Sequence, residues 1–189
     1  MAIGNHELYH RLERVLFGQA EIRDRVAEMG AAITADFSGQ MLSIVTVLQG
    51  GALFMADLIR EIHLPLQIES ISVASYHGGT ASTGTVSFYQ SRLPLIEGRD
   101  VLVLDDILDS GRTLTAVMEK LQTECRPRSI RSAVLLTKDI KRAVPIEADY
   151  SGFTVGNEFV VGYGLDYRGE YRNLPVIGVL SPSFLDPEG

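Results

Sequence analysis

Three carboxylates lie close together in the segment 101–113, which reads VLVLDDILDSGRT. Asp105 and Asp106 are adjacent at the end of an apolar run, and Asp109 precedes the tetrapeptide SGRT at 110–113. A loop of this kind at the start of a helix can direct several backbone N–H groups and two hydroxyls at one point, beside the positive end of the helix dipole. That arrangement is suited to binding a phosphate group.

The adjacent pair of carboxylates suits a different task. Asp105 and Asp106 can accept hydrogen bonds from vicinal sugar hydroxyls, and they can gather Mg²⁺ directly or through water. A phosphate-binding loop a few residues from acceptors for a diol describes a site for ribose 5-phosphate. The competing interpretation is a solvated helix cap, because Asp, Ser and Thr all favour that position. A cap accounts for Asp109 or Ser110, but it does not account for two carboxylates at the end of a buried strand.

The hydrophobic pattern predicts the elements that must position these residues. Short, continuous apolar runs predict strands at 43–48, 68–73, 101–104 and 132–136. Apolar residues at helical spacing predict helices at 21–37, after Gly51 and after Thr113. Continuous apolar strands interleaved with helices indicate a parallel sheet covered on both faces, so the predicted class is α/β. In such sheets ligands bind at the carboxyl ends of the strands, where Asp105 and Asp106 lie.

From Tyr150 onward the pattern changes to glycine- and tyrosine-rich segments with short apolar runs at 159–161 and 176–180. These runs favour a small subdomain or appended strands rather than another strand–helix–strand unit. The segment 76–84, YHGGTASTG, is dominated by small residues and is predicted to be a mobile loop. With 189 residues, 46% of them hydrophobic, the chain can form one domain with a sizeable core.

Composition argues against several other classes of function. The formal net charge of −7 gives no overall field that would attract nucleic acid or an acidic membrane. No apolar run approaches the roughly 20 residues that cross a bilayer, and the polar start does not resemble a signal peptide, so a cytoplasmic location is expected. The single cysteine cannot form an internal disulfide, and no His/Cys cluster has zinc-ligand spacing. Glycines at 79–84 have P-loop spacing, but Thr85 and Val86 replace the required Lys and Ser or Thr.

The segment 101–113 resembles the phosphoribosyl pyrophosphate signature of the type I phosphoribosyltransferases. Four further segments resemble the hypoxanthine-guanine branch of that family, in the family's order, between about residue 40 and residue 180. They are LQGG at 48–51 (the pyrophosphate loop), SY at 75–76 with STG at 82–84 (the lid), LLTK at 135–138 (the strand that reads the base) and the long stretch 149–172, which contains EFVVGYGLDY (the hood).

The resemblance implies the type I phosphoribosyltransferase fold, a parallel sheet flanked by helices with a small hood subdomain. It implies a single domain over 1–189. Its core would occupy about 38–145 together with the C-terminal strand. The hood would extend from about 150 to 175 and include N-terminal residues.

The resemblance also implies a role for individual residues. Asp109 would be the catalytic carboxylate that takes up or shares the proton on purine N7, and Asp105 and Asp106 would hold the ribose hydroxyls and an associated Mg²⁺. The remaining residues would bind parts of the substrates. They are Ser110, Gly111, Arg112 and Thr113 at the 5-phosphate; Lys138, Phe159 and Val160 at the purine; Gln49, Gly50 and Arg172 at the pyrophosphate; Asp166 at a second Mg²⁺; and Ser75 and Tyr76 in the lid.

Taken singly, several of these residues favour a different interpretation. Phe159 beside Val160 and Val161 is typical of a core residue. Lys138 at a strand end favours an exposed charge, Arg172 a surface ion pair, and Asp166 a turn. Only the order of the motifs along the chain favours the functional interpretation.

One position departs from the family. The pyrophosphate loop often carries Lys in the family, whereas this chain has Gln49. A peptide N–H can still bind pyrophosphate, especially if the Leu48–Gln49 bond takes the cis form that the family uses. The missing charge affects any contact that the side chain makes at that position. Arg112, where Lys is frequent, keeps its charge.

The predicted activity is purine salvage: Mg²⁺-dependent transfer of ribose 5-phosphate from phosphoribosyl pyrophosphate to hypoxanthine or guanine, giving IMP or GMP and pyrophosphate. The expected partners are these small molecules, without nucleic acid or membrane, and the family implies a homodimer or homotetramer. One alternative is a phosphoribosyltransferase that prefers xanthine or a pyrimidine. The other is a non-catalytic regulator of the same fold that senses nucleotide and binds RNA or DNA, which would need a basic face.

Overall fold

The computed structural model describes residues 5–75, 86–89 and 92–185. Its strands are β1 (Leu12–Phe17), β2 (Leu42–Leu48), β3 (Leu66–Ser75), β4 (Val86–Phe88), β5 (Asp100–Leu108), β6 (Ser129–Lys138), β7 (Tyr150–Val155), β8 (Val160–Val161) and β9 (Ile177–Leu180). Its α-helices are α1 (Asn5–His10), α2 (Gln19–Asp36), α3 (Ala52–Glu61) and α4 (Arg112–Lys120), with a π-helical turn Leu121–Cys125 after α4 and a 3₁₀ turn Pro182–Phe184 after β9. The four strands and three helices predicted from the sequence correspond to β2, β3, β5, β6, α2, α3 and α4.

The larger sheet has the strand order β4-β3-β2-β5-β6-β7. Its strands run parallel except β4, which is antiparallel to β3. Leu102 and Leu104 of β5 pack in one core cluster with α2 and α3, whereas Val101 and Val103 pack in a second cluster with α4. Because alternate residues of β5 enter opposite clusters, the strand is apolar at every position. The α/β class predicted from this pattern is confirmed.

The smaller sheet is antiparallel, with the order β1-β9-β8. We refer to this sheet, together with the segment 162–176 that connects β8 to β9, as the hood. It includes N-terminal residues through β1. The C-terminal strand was expected with the core; β9 pairs with β1 and with β8, while its Ile177 packs in the cluster that contains α2 and α3. The apolar content of β9 predicts burial, and it does not specify which strand is its partner.

The boundary expected near residue 150 also differs from the structure. β7 begins at Tyr150 and extends the larger sheet by pairing in parallel with β6. Its sequence, YSGFTV, contains no continuous apolar run because β7 is a half-exposed edge strand. The Arg25 guanidinium of α2 donates to the carbonyl oxygens of Ser151 and Gly152 at 2.8 and 2.7 Å, which satisfies part of this edge.

The carboxyl ends of β2, β5 and β6 lie at one edge of the larger sheet, because the three strands are parallel neighbours. The segments that follow them carry most of the candidate functional residues. The predicted mobile loop 76–84 and Tyr76 lie outside the described residues; Ser75 is the last residue of β3. Among the helices that the structure describes, none has the length and apolar character needed to span a membrane.

Candidate functional site

The loop between β5 and α4 depends on Gly111. Its φ is +81°, a conformation in which a side chain is strained, and a Cβ atom there would lie 2.5 Å from the carbonyl oxygen of Val144. The N–H of Val144 also donates to the carbonyl of Ser110 at 3.1 Å, so the crossover 139–149 packs on one side of this loop. α4 begins at Arg112, and the first N–H groups of a helix have no partners within the helix. The loop therefore has the geometry of an anion site.

Asp105 and Asp106 end the buried part of β5. Asp105 is 6% exposed, and its Oδ1 accepts from the N–H of Asp106 at 3.0 Å. Burial, and next the charge of Asp106, raises the pKa of Asp105 well above its usual range. Burial also raises the pKa of Asp106, although the positive charge of Arg172 opposes this shift. Asp105 is buried and Asp106 beside it is half-buried. Two adjacent carboxylates in such surroundings, without a cation or hydroxyl donors, are unfavourable, so they are suited to a ligand that supplies either one.

The loop 48–51 approaches this pair from β2. The Leu48–Gln49 peptide bond is cis, the form that the resemblance implied. A Cβ atom on Gly50 would overlap the carboxylate of Asp106, so a side chain at this position would have to displace that carboxylate. Gln49 is exposed, and its backbone carbonyl accepts from the N–H of Ala52 at 3.1 Å, where α3 begins.

Lys138 ends β6, which is hydrogen-bonded to β5 along its length. Its Nζ lies 3.0 Å from Oδ2 of Asp109. The Lys138 side chain is 12% exposed, which differs from the exposed charge that a lysine at a strand end favours. This ion pair places a largely buried cation and a half-exposed carboxylate side by side, next to the phosphate-binding loop.

The hood supplies the residues on the other side of the site. Arg172 pairs with Asp166 at 2.7 Å, and a second guanidinium nitrogen donates to the carbonyl of Gly164 at 2.5 Å. Asp166 also accepts from the N–H of Gly169 at 2.7 Å, so both of its carboxylate oxygens have partners. The ion pair that Arg172 favours by itself and the turn that Asp166 favours by itself are both present. Gly164 of the hood lies against the carbonyl of Gly50, and Gly50 lies against the carboxylate of Asp106, so the hood approaches the acidic pair through the loop 48–51.

Phe159 and Val160 differ in their exposure. Phe159 is 40% exposed, and its ring meets the ring of Tyr167 edge to face with centroids 5.5 Å apart. Val160 is 6% exposed and pairs with Val179 in the small sheet. The interpretation of Phe159 as a core residue is therefore wrong, whereas Val160 can meet a ligand only through its backbone.

Two contributors to the site were not anticipated from the sequence. One is the crossover 139–149, whose Val144 contacts the phosphate-binding loop. The other is Tyr163, whose hydroxyl donates to Asp57 of α3 at 2.5 Å. The crossover has no motif. Tyr163 lies within the segment EFVVGYGLDY, but no local signal other than the glycines on either side of it indicates its contact with α3. Within the described ranges, no group of three or more His, Cys, Asp or Glu side chains could hold a metal ion without help from a ligand.

Comparison with known proteins gives consistent results. A family model for the phosphoribosyl transferase domain matches residues 18–168. The chain is 45% identical over 175 residues to hypoxanthine-guanine phosphoribosyltransferase of Staphylococcus aureus, covering 93% of this chain and 97% of that protein. It is 42% identical over 179 residues to the bifunctional protein TilS/HprT of Listeria monocytogenes, covering 95% of this chain. The chain spans only 28% of the length of that bifunctional relative.

Solved structures agree with the sequence comparisons. A crystal structure of a hypoxanthine phosphoribosyltransferase from S. aureus is 43% identical, with a TM-score of 0.90 over 97% of this chain and 100% of that one. A variant of the Trypanosoma cruzi hypoxanthine phosphoribosyltransferase, solved in a ternary complex with substrates, is 38% identical. Its TM-score is 0.85 over 93% of this chain and 98% of that one.

Proposed function

The chain belongs to the phosphoribosyl transferase family, and from that premise we propose that it is a hypoxanthine-guanine phosphoribosyltransferase of purine salvage. It transfers ribose 5-phosphate from phosphoribosyl pyrophosphate to hypoxanthine or guanine, giving IMP or GMP and pyrophosphate. One observation carries the proposal: a phosphate-binding loop, the carboxylate pair Asp105 and Asp106, and the Lys138–Asp109 ion pair lie together at one edge of the sheet. Each part fits a different portion of these substrates.

In this proposal the sugar phosphate binds along the end of β5. The 5-phosphate is held by backbone N–H groups at Ser110 to Thr113, where Gly111 shapes the loop and Arg112 adds a positive charge. The ribose hydroxyls donate to Asp105 and Asp106. Burial disfavours the ionised forms of both carboxylates, and the hydrogen bonds from the sugar stabilise those ionised forms. Sugar binding therefore offsets the cost of keeping these charges in the free protein.

The purine lies between the Lys138–Asp109 pair and the hood. The Lys138 ammonium is a donor only, so it matches the O6 acceptor of a 6-oxopurine, while Asp109 matches a protonated N7. The exposed ring of Phe159 offers a face for stacking, and the backbone of Val160 adds contacts at the same end. Selection against adenine follows, because its 6-amino group would place a donor against a donor.

The pyrophosphate binds where the loop 48–51 faces Arg172. Gly50 brings backbone N–H groups beside Asp106, and Arg172 supplies a charge in place of the lysine that Gln49 replaces. The donor set fits Mg²⁺, because that ion is commonly held by one or two carboxylates together with substrate phosphates. Asp105 and Asp106 would hold one ion, and Asp166 a second through lone pairs that its present partners leave available. When bound, Mg²⁺ supplies charge stabilisation to the departing pyrophosphate.

The chemistry requires orientation and charge stabilisation rather than a protein nucleophile. N9 of the purine attacks C1 of the ribose while the bond from C1 to the pyrophosphate oxygen breaks, so positive charge develops on the sugar and negative charge on the leaving group. Arg172 stabilises the leaving group. Asp109 takes up or shares the proton near N7, and Lys138 stabilises electron density at O6.

Several finer statements are part of the same proposal. Closure of the loop 76–84 before the bond breaks, which would exclude water, stays a prediction from the sequence. The protein would assemble as a homodimer or homotetramer; a relative from T. cruzi, 38% identical, was studied for the role of its C-terminal region in oligomeric state and activity. The single domain over 1–189 and the cytoplasmic location stay predictions from the sequence.

A steady-state comparison of hypoxanthine, guanine, xanthine and adenine tests the proposal. Hypoxanthine and guanine should be converted to their monophosphates only when phosphoribosyl pyrophosphate and Mg²⁺ are both present. Equal turnover after chelation of all divalent metal, or preference for xanthine, would contradict it. Salt-dependent binding of RNA or DNA without turnover would instead support the regulator, although a net charge of −7 disfavours that function.

A further inference from the structure

The two halves of the proposed pyrophosphate site come from distant parts of the chain. The loop 48–51 leads directly into α3, whereas Arg172 and Asp166 belong to the hood. These halves must be held at a fixed separation, because a leaving group that contacts both tolerates little misplacement. A direct contact between α3 and the hood could supply that constraint.

Tyr163 makes such a contact. Its hydroxyl donates to Oδ2 of Asp57 in α3 at 2.5 Å, and its ring is 7% exposed in the core cluster that contains Phe54 and Leu58. Burial, and next the hydrogen bond to Asp57, raises the pKa of the Tyr163 phenol, so the phenol remains a neutral donor. The other oxygen of Asp57 pairs with Arg60, which leaves Oδ2 to the hood.

The backbone around Tyr163 connects this contact to the site. Tyr163 has a φ of +50°, and the glycines on either side of it also have positive φ. The N–H of Gly164 donates to the carbonyl of Arg172 at 3.0 Å, and the Arg172 guanidinium donates back to the carbonyl of Gly164. A Cβ atom on Gly164 would overlap the carbonyl oxygen of Gly50, so the hood touches the pyrophosphate loop one residue after Tyr163.

We propose that the Tyr163–Asp57 hydrogen bond is a positioning contact that fixes the distance between the pyrophosphate loop and Arg172. This inference rests on the proposed function. Tyr163 acts through Gly164 and Arg172 rather than on the substrate. Asp57 lies about 8 Å along α3 from Ala52, so the bond also anchors the helix that carries the loop.

Removal of the phenol hydroxyl tests this role in the full chain. Tyr163→Phe should raise the KM for phosphoribosyl pyrophosphate, and for pyrophosphate in the reverse reaction, by about tenfold, in the range that one hydrogen bond to a charged group contributes. The KM for hypoxanthine at saturating phosphoribosyl pyrophosphate should stay near its wild-type value. Asp57→Ala should have the same effect, whereas Asp57→Asn, whose amide oxygen still accepts from the phenol, should remain close to wild type.

Tyr150→Phe is the matched control. It removes a similar bond, from the Tyr150 hydroxyl to Asp36 at 2.6 Å, at the start of β7 and therefore at the opposite edge of the sheet. This variant should lower Tm without raising the KM for phosphoribosyl pyrophosphate. If Tyr163→Phe behaves in the same way, or raises the KM for both substrates equally, the bond is only structural and the inference is wrong.

Calorimetric titration of Mg²⁺-pyrophosphate into wild type and Tyr163→Phe separates the inference from the proposed function. About tenfold weaker binding by the variant supports the positioning role even if no purine is converted. Absence of purine turnover by the wild type would overturn the proposed function alone. Equal binding by the two proteins, or none by the wild type, would overturn the positioning role.

Discussion

Lys138 has two partners in the proposed reaction, the purine O6 and the carboxylate of Asp109, from which its Nζ lies 3.0 Å. Lys138→Gln replaces the cation with an amide that can present a donor or an acceptor. It should lower kcat/KM for hypoxanthine and reduce the preference for hypoxanthine over adenine. In the wild type this preference can reach roughly 10⁴, because adenine would leave the buried Lys138 donor unpaired. The KM for phosphoribosyl pyrophosphate should hardly change. The measurement is the ratio of kcat/KM for the two bases at one Mg²⁺ concentration; an equal loss for both bases would mean that Lys138 supports the fold or the phosphates instead.

Asp109→Asn keeps the shape of the side chain and removes its charge. If Asp109 handles the proton near N7, kcat should fall by about 10²-fold or more, with a smaller change in the KM for phosphoribosyl pyrophosphate. Single-turnover kinetics should be used, so that slow product release does not mask the effect. Because Asp109 and Lys138 are in contact, the loss in the double variant should be smaller than the two single losses combined. An unchanged rate of the chemical step would mean that Asp109 only caps the loop and takes no part in proton transfer.

At the scale of elements, the turn between β5 and α4 should tolerate no side chain at Gly111. Gly111→Ala combines a left-handed backbone with a clash against the carbonyl of Val144. It should raise the KM for phosphoribosyl pyrophosphate by about tenfold or more, because the left-handed conformation alone costs roughly 1–2 kcal/mol and shifting the loop misplaces its N–H groups. Gly39→Ala is the control, since Gly39 has a φ of +76° but open space around it. An equal effect of the two substitutions on this KM would contradict a specific role for the turn.

The sequence predicts elements better than it predicts their partners. β2 and β5 could be recognised because strands buried on both faces are continuously apolar, and the acidic pair at the end of β5 indicated the site. β7 could not be recognised, because an edge strand carries polar residues and Gly152. The pairing of β9 with β1 joins residues more than 150 positions apart, and no local pattern encodes it. Tyr163 was missed for the same reason, since its partner Asp57 is 106 residues away.

At the scale of the whole molecule, β5 carries a buried aspartate near each end, and the two should affect stability in opposite directions. At the start of β5, the hydrogen bond from Arg128 lowers the pKa of Asp100 below its value in the unfolded chain. Asp100 therefore stabilises the fold at pH values above the pKa of the unfolded chain, and this stabilisation is lost as the pH falls through the lower pKa of the folded protein. Towards the carboxyl end of β5, burial raises the pKa of Asp105 above its value in the unfolded chain. The neutral carboxyl group therefore stabilises the fold at low pH, and this stabilisation is lost as the pH rises through the pKa of the folded protein. The binding end of the strand thus lowers the stability of the free protein at neutral pH.

Thermal unfolding of two asparagine variants tests this opposition. At pH 8, Asp105→Asn should raise Tm by about 2–4 °C, the effect of ~1 kcal/mol in a domain of this size, whereas Asp100→Asn should lower it. The Asp105→Asn difference should shrink towards pH 4, where the unfolded carboxyl also binds a proton, whereas the Asp100→Asn difference should shrink only below that pH. Added phosphoribosyl pyrophosphate with Mg²⁺ should stabilise the wild type more than Asp105→Asn, because the ligand compensates the charge that the variant lacks. If Asp105→Asn lowers Tm at pH 8, the carboxylate is stabilised by the fold itself, and its burial does not favour ligand binding.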